Sequence, residues 1–135
     1  MAQNLYSKLG DVEYDGLITD VLPEVIKRAV TIRKLGTAAT LVRGTILAKS
    51  SGSAGDGKMV VLGNTAASNE TLTADCILCD DVAVGTSADV IATVYVAGCF
   101  DKSKCTVKSG YTITQDDLDK LRERGILFKT ASAAL

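Results

Sequence analysis

Apolar and polar positions alternate with a period near two through several stretches of the chain, the pattern a half-buried β-strand produces. In residues 25–33, Ile26, Val30 and Ile32 fall on one side and Lys27, Ala29, Thr31 and Arg33 on the other. Pro23 stands just ahead, where its lack of a backbone donor suits a strand entrance. Gly36 closes that segment, and after Leu41 and Val42 a second short strand is expected at Gly44-Thr45-Ile46-Leu47-Ala48. Residues 50–58 form a Ser/Gly run containing Gly52, Gly55 and Gly57, read as a flexible turn before a strand at Met59-Val60-Val61-Leu62. Residues 63–73 read as a polar loop, and Cys76-Ile77-Leu78-Cys79 as a short strand closed by Asp80-Asp81.

The strongest strand signal spans residues 90–100. Val90, Ala92, Val94 and Val96 line one face of it and Ile91, Thr93, Tyr95 and Ala97 the other, so it is expected to be central and largely buried on both faces. One helix is expected late in the chain. Thr114 caps it, Asp116 and Asp117 occupy its positive first turn, and Lys120, Arg122 and Arg124 favour its negative end. Gly125 stands where a left-handed stop belongs, and Leu118 and Leu121 give the helix one apolar stripe. Ile126-Leu127-Phe128 then returns as a strand. The expected fold class is mostly β with one short helix (α+β), without internal repeats.

Composition sharpens this picture. At 135 residues and 47% hydrophobic content the chain can build one core without disulfides. The apolar run at 90–100 is about half of the ~20 residues a membrane helix needs, so no membrane partner is expected. Residues 1–16 hold no apolar signal core, and the expected setting is a cytosol. A net charge of −1 supplies no basic field for a nucleic acid backbone. The charges are nevertheless sorted: Lys27, Arg28, Arg33, Lys34, Arg43 and Lys49 lie in one stretch, and Glu70, Asp75, Asp80, Asp81 and Asp89 in another. Such patches can pair between subunits or stand as solvated faces. Residues 1–13 mix Gln3, Asn4, Ser7 and Gly10 with scattered charges and read as an arm that needs a partner to become ordered.

Candidate chemistry is sparse. The chain has no His, which removes the usual general base near neutral pH and every His-containing triad or metal site. Asp80-Asp81 would project to opposite faces in a strand, and Asp116-Asp117 is explained by the helix dipole. Cys76 and Cys79 have zinc-like spacing, but in a strand they too face opposite ways, and Cys99 and Cys105 supply no second close pair. Buried free thiols are the simpler reading, with no metal and no cofactor. A phosphate-cradling loop at residues 50–58 is rejected, since Lys58 leads into a β-branched run rather than a helix. With six aromatic residues and no Trp, stacking surfaces are few.

Several segments together resemble the lambda-type phage head-decoration (capsid-stabilising) proteins. They are Tyr14-Asp15-Gly16-Leu17-Ile18 before Pro23, the strand ending Val30-Thr31-Ile32, and Leu41-Val42-Arg43-Gly44-Thr45-Ile46-Leu47, similar to a Leu-x-Arg-Gly-Thr-x-Leu signature. Ile77-Leu78 with Asp80-Asp81-Val82, Gly98-x-Phe100 and Leu121-Arg122-Glu123-Arg124-Gly125-Ile126 follow in the same order, so the resemblance covers residues 14–129. Cys99 and Cys105 stand where such proteins commonly carry other residue types. The resemblance implies a compact β-barrel-like, β-tulip body (residues 21–135) behind an extended N-terminal capsid-binding arm (residues 1–20). It implies a homotrimer on three-fold and quasi-three-fold positions of the expanded head, on its outer surface, assembled in a host bacterial cytoplasm. The arm would add a strand to the major capsid protein, with Leu5, Tyr6, Val12, Tyr14, Leu17 and Ile18 as the capsid-binding residues. No nucleic acid, membrane or small-molecule substrate is implied, and no enzyme activity. The rival reading is a monomeric β-barrel module binding a ligand or peptide, which requires a concave apolar pocket. A hydrolase is a third, weakened because no nucleophile has a recognisable base.

Overall fold

A computed structural model of the protein describes residues 16–20 and 24–129. In chain order its strands are β1 (Ile18–Asp20), β2 (Ile26–Ile32), β3 (Ala39–Leu41), β4 (Ile46–Ser51), β5 (Met59–Val61), β6 (Thr71–Leu78), β7 (Val82–Val84), β8 (Val90–Phe100) and β9 (Ile126–Phe128). A 3₁₀ turn at Lys102–Lys104 and the helix α1 (Gln115–Arg124) precede β9.

Strand β8 organises the architecture. Its leading part pairs along one edge with β2, antiparallel, with Lys27 opposite Tyr95, Ala29 opposite Thr93 and Thr31 opposite Ile91. Its other edge takes β6, with Ile77 opposite Tyr95 and Leu78 opposite Val94. β6 pairs with β4, β4 with β5, and β5 returns to β2 in parallel at Ile32 and Met59, which closes a five-stranded barrel. The last residues of β8 leave the barrel and form a second ladder, antiparallel to β1 and parallel to β9.

The two faces of this sheet make two cores. Ile32, Leu47, Met59, Cys76, Leu78 and Val94, one or two from each barrel strand, form the inner cluster. The separate β3–β7 ribbon packs Leu41, Val82 and Val84 onto it. Residues of the opposite parity, including Ile46, Ala48, Val60, Ile77 and Tyr95, form the outer cluster under Leu121 of α1, Ile126 of β9, Leu17 and Phe100. Period-two alternation on a sheet covered on both sides produces this division, because every second side chain must find its own apolar layer.

The helix follows its sequence signals. Thr114 accepts from the Asp117 backbone N–H at 3.1 Å, and the Asp117 carboxylate accepts from the Thr114 N–H at 3.1 Å, a reciprocal capping box. Gly125 ends the helix in the left-handed region at φ 106°. Leu121 is fully buried, and Arg124 reaches the buried Asp75 of β6 at 3.0 Å, so α1 is fixed to the barrel by packing and by charge. At Gly98 (φ +145°) a Cβ would sit 2.8 Å from the Phe100 ring, so the ring of Phe100 lies over a position only glycine can occupy.

Several expectations change. β6 begins at Thr71, inside the expected polar loop, because Thr71 to Ala74 pair with the second half of β4. The turn at 50–58 is tied down rather than flexible: Gly57 N–H donates to the Ser50 carbonyl at 3.0 Å, and Ala54 N–H to that of Asn69 at 2.9 Å. β8 is not buried on both faces, since Ile91 is 74% exposed and Thr93 is exposed. β2 is buried only at Ile32, and Ile26 is 50% exposed. The barrel interior is the part least able to relax. Leu47→Ala is therefore expected to cost about 2–5 kcal/mol in a urea denaturation series, against a small effect for the exposed Thr40→Ala.

Candidate functional site

At the end of β8 two parts of the chain meet. Leu17 is 1% exposed, set among the outer cluster, and its carbonyl accepts the Asp101 N–H at 2.8 Å. Ile18 pairs with Phe100 on one strand, and Phe128 of β9 pairs with the same Phe100. Lys129 N–H donates to the Phe100 carbonyl at 2.8 Å, and its Nζ reaches the Asp20 carboxylate at 2.5 Å. Antiparallel β1 and parallel β9 thus bring Gly16 and Lys129 out at the same pole, beyond the C-terminal end of β8. The 3₁₀ turn stiffens this pole, with the buried Asp101 carboxylate accepting from the Ser103 N–H (2.9 Å) and hydroxyl (2.7 Å).

Of the six expected contact residues, Leu5, Tyr6, Val12 and Tyr14 lie outside the described residues. Leu17 and Ile18 belong to the body. A side chain as enclosed as Leu17 anchors the base of the leading segment and has no surface left for a partner, while Ile18 is half-buried against the outer cluster. Short flanking strands of this kind carry little periodic signal, because three residues become a strand only through the partner waiting for them.

The cysteines are distributed between the cores. Cys76 lies in the inner cluster, its Sγ 3.9 Å from Met59 Sδ, and Cys79 lies in the outer one, on the opposite face as strand geometry requires. Cys99 receives the Thr19 hydroxyl at 3.3 Å, and all four thiols are free. Burial pushes the Cys76 thiol well above its ordinary value and that of Cys105 up to about 12, which disfavours the thiolate that nucleophilic or metal chemistry requires. Among the described residues no three His, Cys, Asp or Glu side chains are grouped to hold a metal.

The family model for bacteriophage lambda head decoration protein D matches residues 9–126. The chain belongs to that family. It is a phage head decoration protein, a structural component of the virion capsid. No curated protein and no solved structure matches the chain. The match begins at residue 9, ahead of Tyr14, so it takes in part of the leading segment as well as the body.

Some of the decoration protein's charges answer one another within the chain. Arg33 forks onto Asp56 (Nε 3.1 Å, Nη2 2.9 Å) and reaches Glu70 at 2.6 Å, while Ser50 Oγ also donates to Glu70. The Ala67 N–H donates to the other Glu70 oxygen at 2.9 Å, and Lys58 pairs with Asp89 at 2.6 Å. Basic and acidic stretches that looked separate along the sequence are thereby latched across the turn at 50–58, which joins two strands and presents no helix N-terminus to an anion. Left over is an uncovered face, Ala29 and Thr31 of β2 beside Thr93 and Ile91 of β8, of which the two β8 residues had been expected in the core. Along the outer edge of β2 runs an open groove of about 380 Å³ lined by Arg28, Val30, Lys49 and Lys58.

The Arg33 latch makes stability depend on acid pH. The Ala67 N–H, Ser50 hydroxyl and Arg33 hold the Glu70 carboxyl down at about 2, and chiefly Arg33 holds Asp56 there too, below the ordinary values of 4.5 and 3.8. A lowered folded-state pKa stabilises the fold above the ordinary value, and the gain disappears as pH falls toward the folded one. Urea midpoints are accordingly expected to hold steady above about pH 5 and to fall between about pH 4 and pH 2. Glu70→Gln should lower the neutral-pH midpoint and flatten that acid decline.

Proposed function

We propose that the protein sits as a homotrimer on the outer surface of the expanded phage head, at three-fold and quasi-three-fold positions. There it links neighbouring major capsid proteins through its leading segment. The observation that carries this reading is the family match across residues 9–126, joined to the geometry of the pole where the leading segment starts. Leu17 and β1 are clamped to β8, so pull on the residues ahead of Gly16 is transmitted into the central strand of the body and not into a loop.

In this reading residues 2–15 add a strand to a sheet of the major capsid protein. Main-chain hydrogen bonds supply affinity, and Leu5, Tyr6, Val12 and Tyr14 supply apolar anchors. Three such segments in one trimer engage three neighbouring subunits, and linkage raises avidity by ~10²–10⁴ without further contacts. Binding the expanded shell, and not the separated subunits, stabilises that shell by mass action. The protein then works as a clamp, without catalysis, cofactor, nucleic acid, membrane or small-molecule substrate, and joins the head in the host bacterial cytoplasm. A ligand-binding barrel fits less well, because the barrel centre is filled by Leu47, Met59, Cys76, Leu78 and Val94.

Deleting residues 2–15 should leave a protein with unchanged far-ultraviolet circular dichroism and urea midpoint that no longer co-sediments with expanded heads. Undiminished co-sedimentation would remove the leading segment from the mechanism.

A further inference from the structure

We propose that the uncovered outer face of β2 and the leading half of β8 is the surface through which copies of this chain join head to tail. This rests on the homotrimer reading and gives it a location. The face centres on Ile91, which is 74% exposed, the greatest exposure among the large hydrophobic side chains described. Thr93, Thr31 and Ala29 surround it in register, all exposed. On the same outer face of the barrel Tyr95, one step further along, is already covered by the second layer, so the outer sheet is finished at one end and bare at the other. An apolar-centred ladder of this kind, with β2 and β8 paired along its length, presents its side chains on backbone that is already ordered.

Charge selects a second copy as the occupant. β2 forms one margin of the face and carries Lys27, which shares the face of Ala29 and Thr31 and has no ion-pair partner among the described residues. β6 holds the other edge of β8, where Cys79 N–H donates to the Thr93 carbonyl at 3.0 Å, so the exposed Asp80-Asp81 turn forms the opposite margin. Asp80 and Asp81 have no ion-pair partner among the described residues, and the Asp81 carboxylate accepts the Arg43 backbone N–H at 2.8 Å. One copy thus offers a basic margin and an acidic margin on either side of one apolar centre. A two-fold pairing of this face would stop at a dimer, whereas a closed ring of three needs a heterologous contact. Rotated about a common axis, the basic margin of one copy meets the acidic margin of the next, and such heterologous contacts close into a ring.

The test is sedimentation velocity of the full chain over a range of concentrations, on wild type, Ile91→Asp, Lys27→Glu and the double variant Lys27→Glu with Asp80→Lys, each checked for unchanged circular dichroism. Wild type is expected to run as a trimer, Ile91→Asp and Lys27→Glu to weaken association about tenfold or more, and the double variant to regain most of it. Should Ile91→Asp fail to fold, the charge pair carries the test, because both its residues are exposed. A wild-type trimer that neither single variant loosens overturns this surface and leaves the homotrimer standing. Loosening by Lys27→Glu that Asp80→Lys does not restore overturns the head-to-tail arrangement. An Ile91→Asp trimer that no longer binds heads assigns the face to the capsid, against the proposal. A wild type that stays monomeric at every concentration removes the homotrimer reading and this surface with it.

Discussion

Strand β8 has to satisfy two ladders at once, and the rest of the molecule is arranged around that requirement. Its leading residues complete the barrel between β2 and β6, and its last residues, Gly98 to Phe100, run on beyond the barrel between β1 and β9. A strand of eleven residues is long for a small domain, and backbone groups that outrun the barrel must be paired elsewhere or remain solvated. β1 and β9 meet that demand from opposite ends of the chain. Phe100 is the joint: fully buried, paired on both sides, and seated over a glycine that makes room for its ring.

This constraint turns a packing problem into a functional layout. Because β1 runs against β8 and β9 along it, the residues ahead of Gly16 and beyond Lys129 depart from one pole. The Lys129–Asp20 ion pair and the Phe100 carbonyl tie the two departures together. In the proposed function, pull on the leading segment would pass through these hydrogen-bonded ladders into the barrel. The Arg33 latch at the far side, with Asp56, Glu70 and Ser50, holds the turn between β4 and β5 and keeps the single β2–β5 closure in register. Cys99 joins the β1–β8 ladder by accepting the Thr19 hydroxyl, while burial keeps Cys76 and Cys105 protonated and apolar in character.

Much of this was legible in the residues, for identifiable reasons. The span of β8 and the limits of α1 follow from signals that depend only on local sequence: continuous alternation, a Thr114–Asp117 capping box and a left-handed Gly125. The opposite facing of Cys76 and Cys79 follows from strand geometry alone. What local sequence does not hold is partnership. β1, β3 and β7 are three residues each and exist because β8 or one another is beside them. Ile91 reads as core because isoleucine in an apolar run is usually enclosed, yet the layer that covers Tyr95 stops short of it. The sorting of charge along the chain was correct as sequence and incomplete as structure, since Arg33 reaches Glu70 across 37 positions. For the leading segment, Leu17 was assigned to the partner and lies in the body's own core.

The central claim is that a closed β body, anchored at Leu17 and β1, lends the residues ahead of them to a neighbouring capsid subunit. A cryo-EM map of expanded heads carrying this protein addresses it most directly. The account predicts residues 2–15 of each copy drawn out as a strand beside a sheet of the major capsid protein, with β1 still paired to β8 beneath it. A map in which those residues lie folded back along their own body, and the capsid is touched by other surfaces alone, would contradict it.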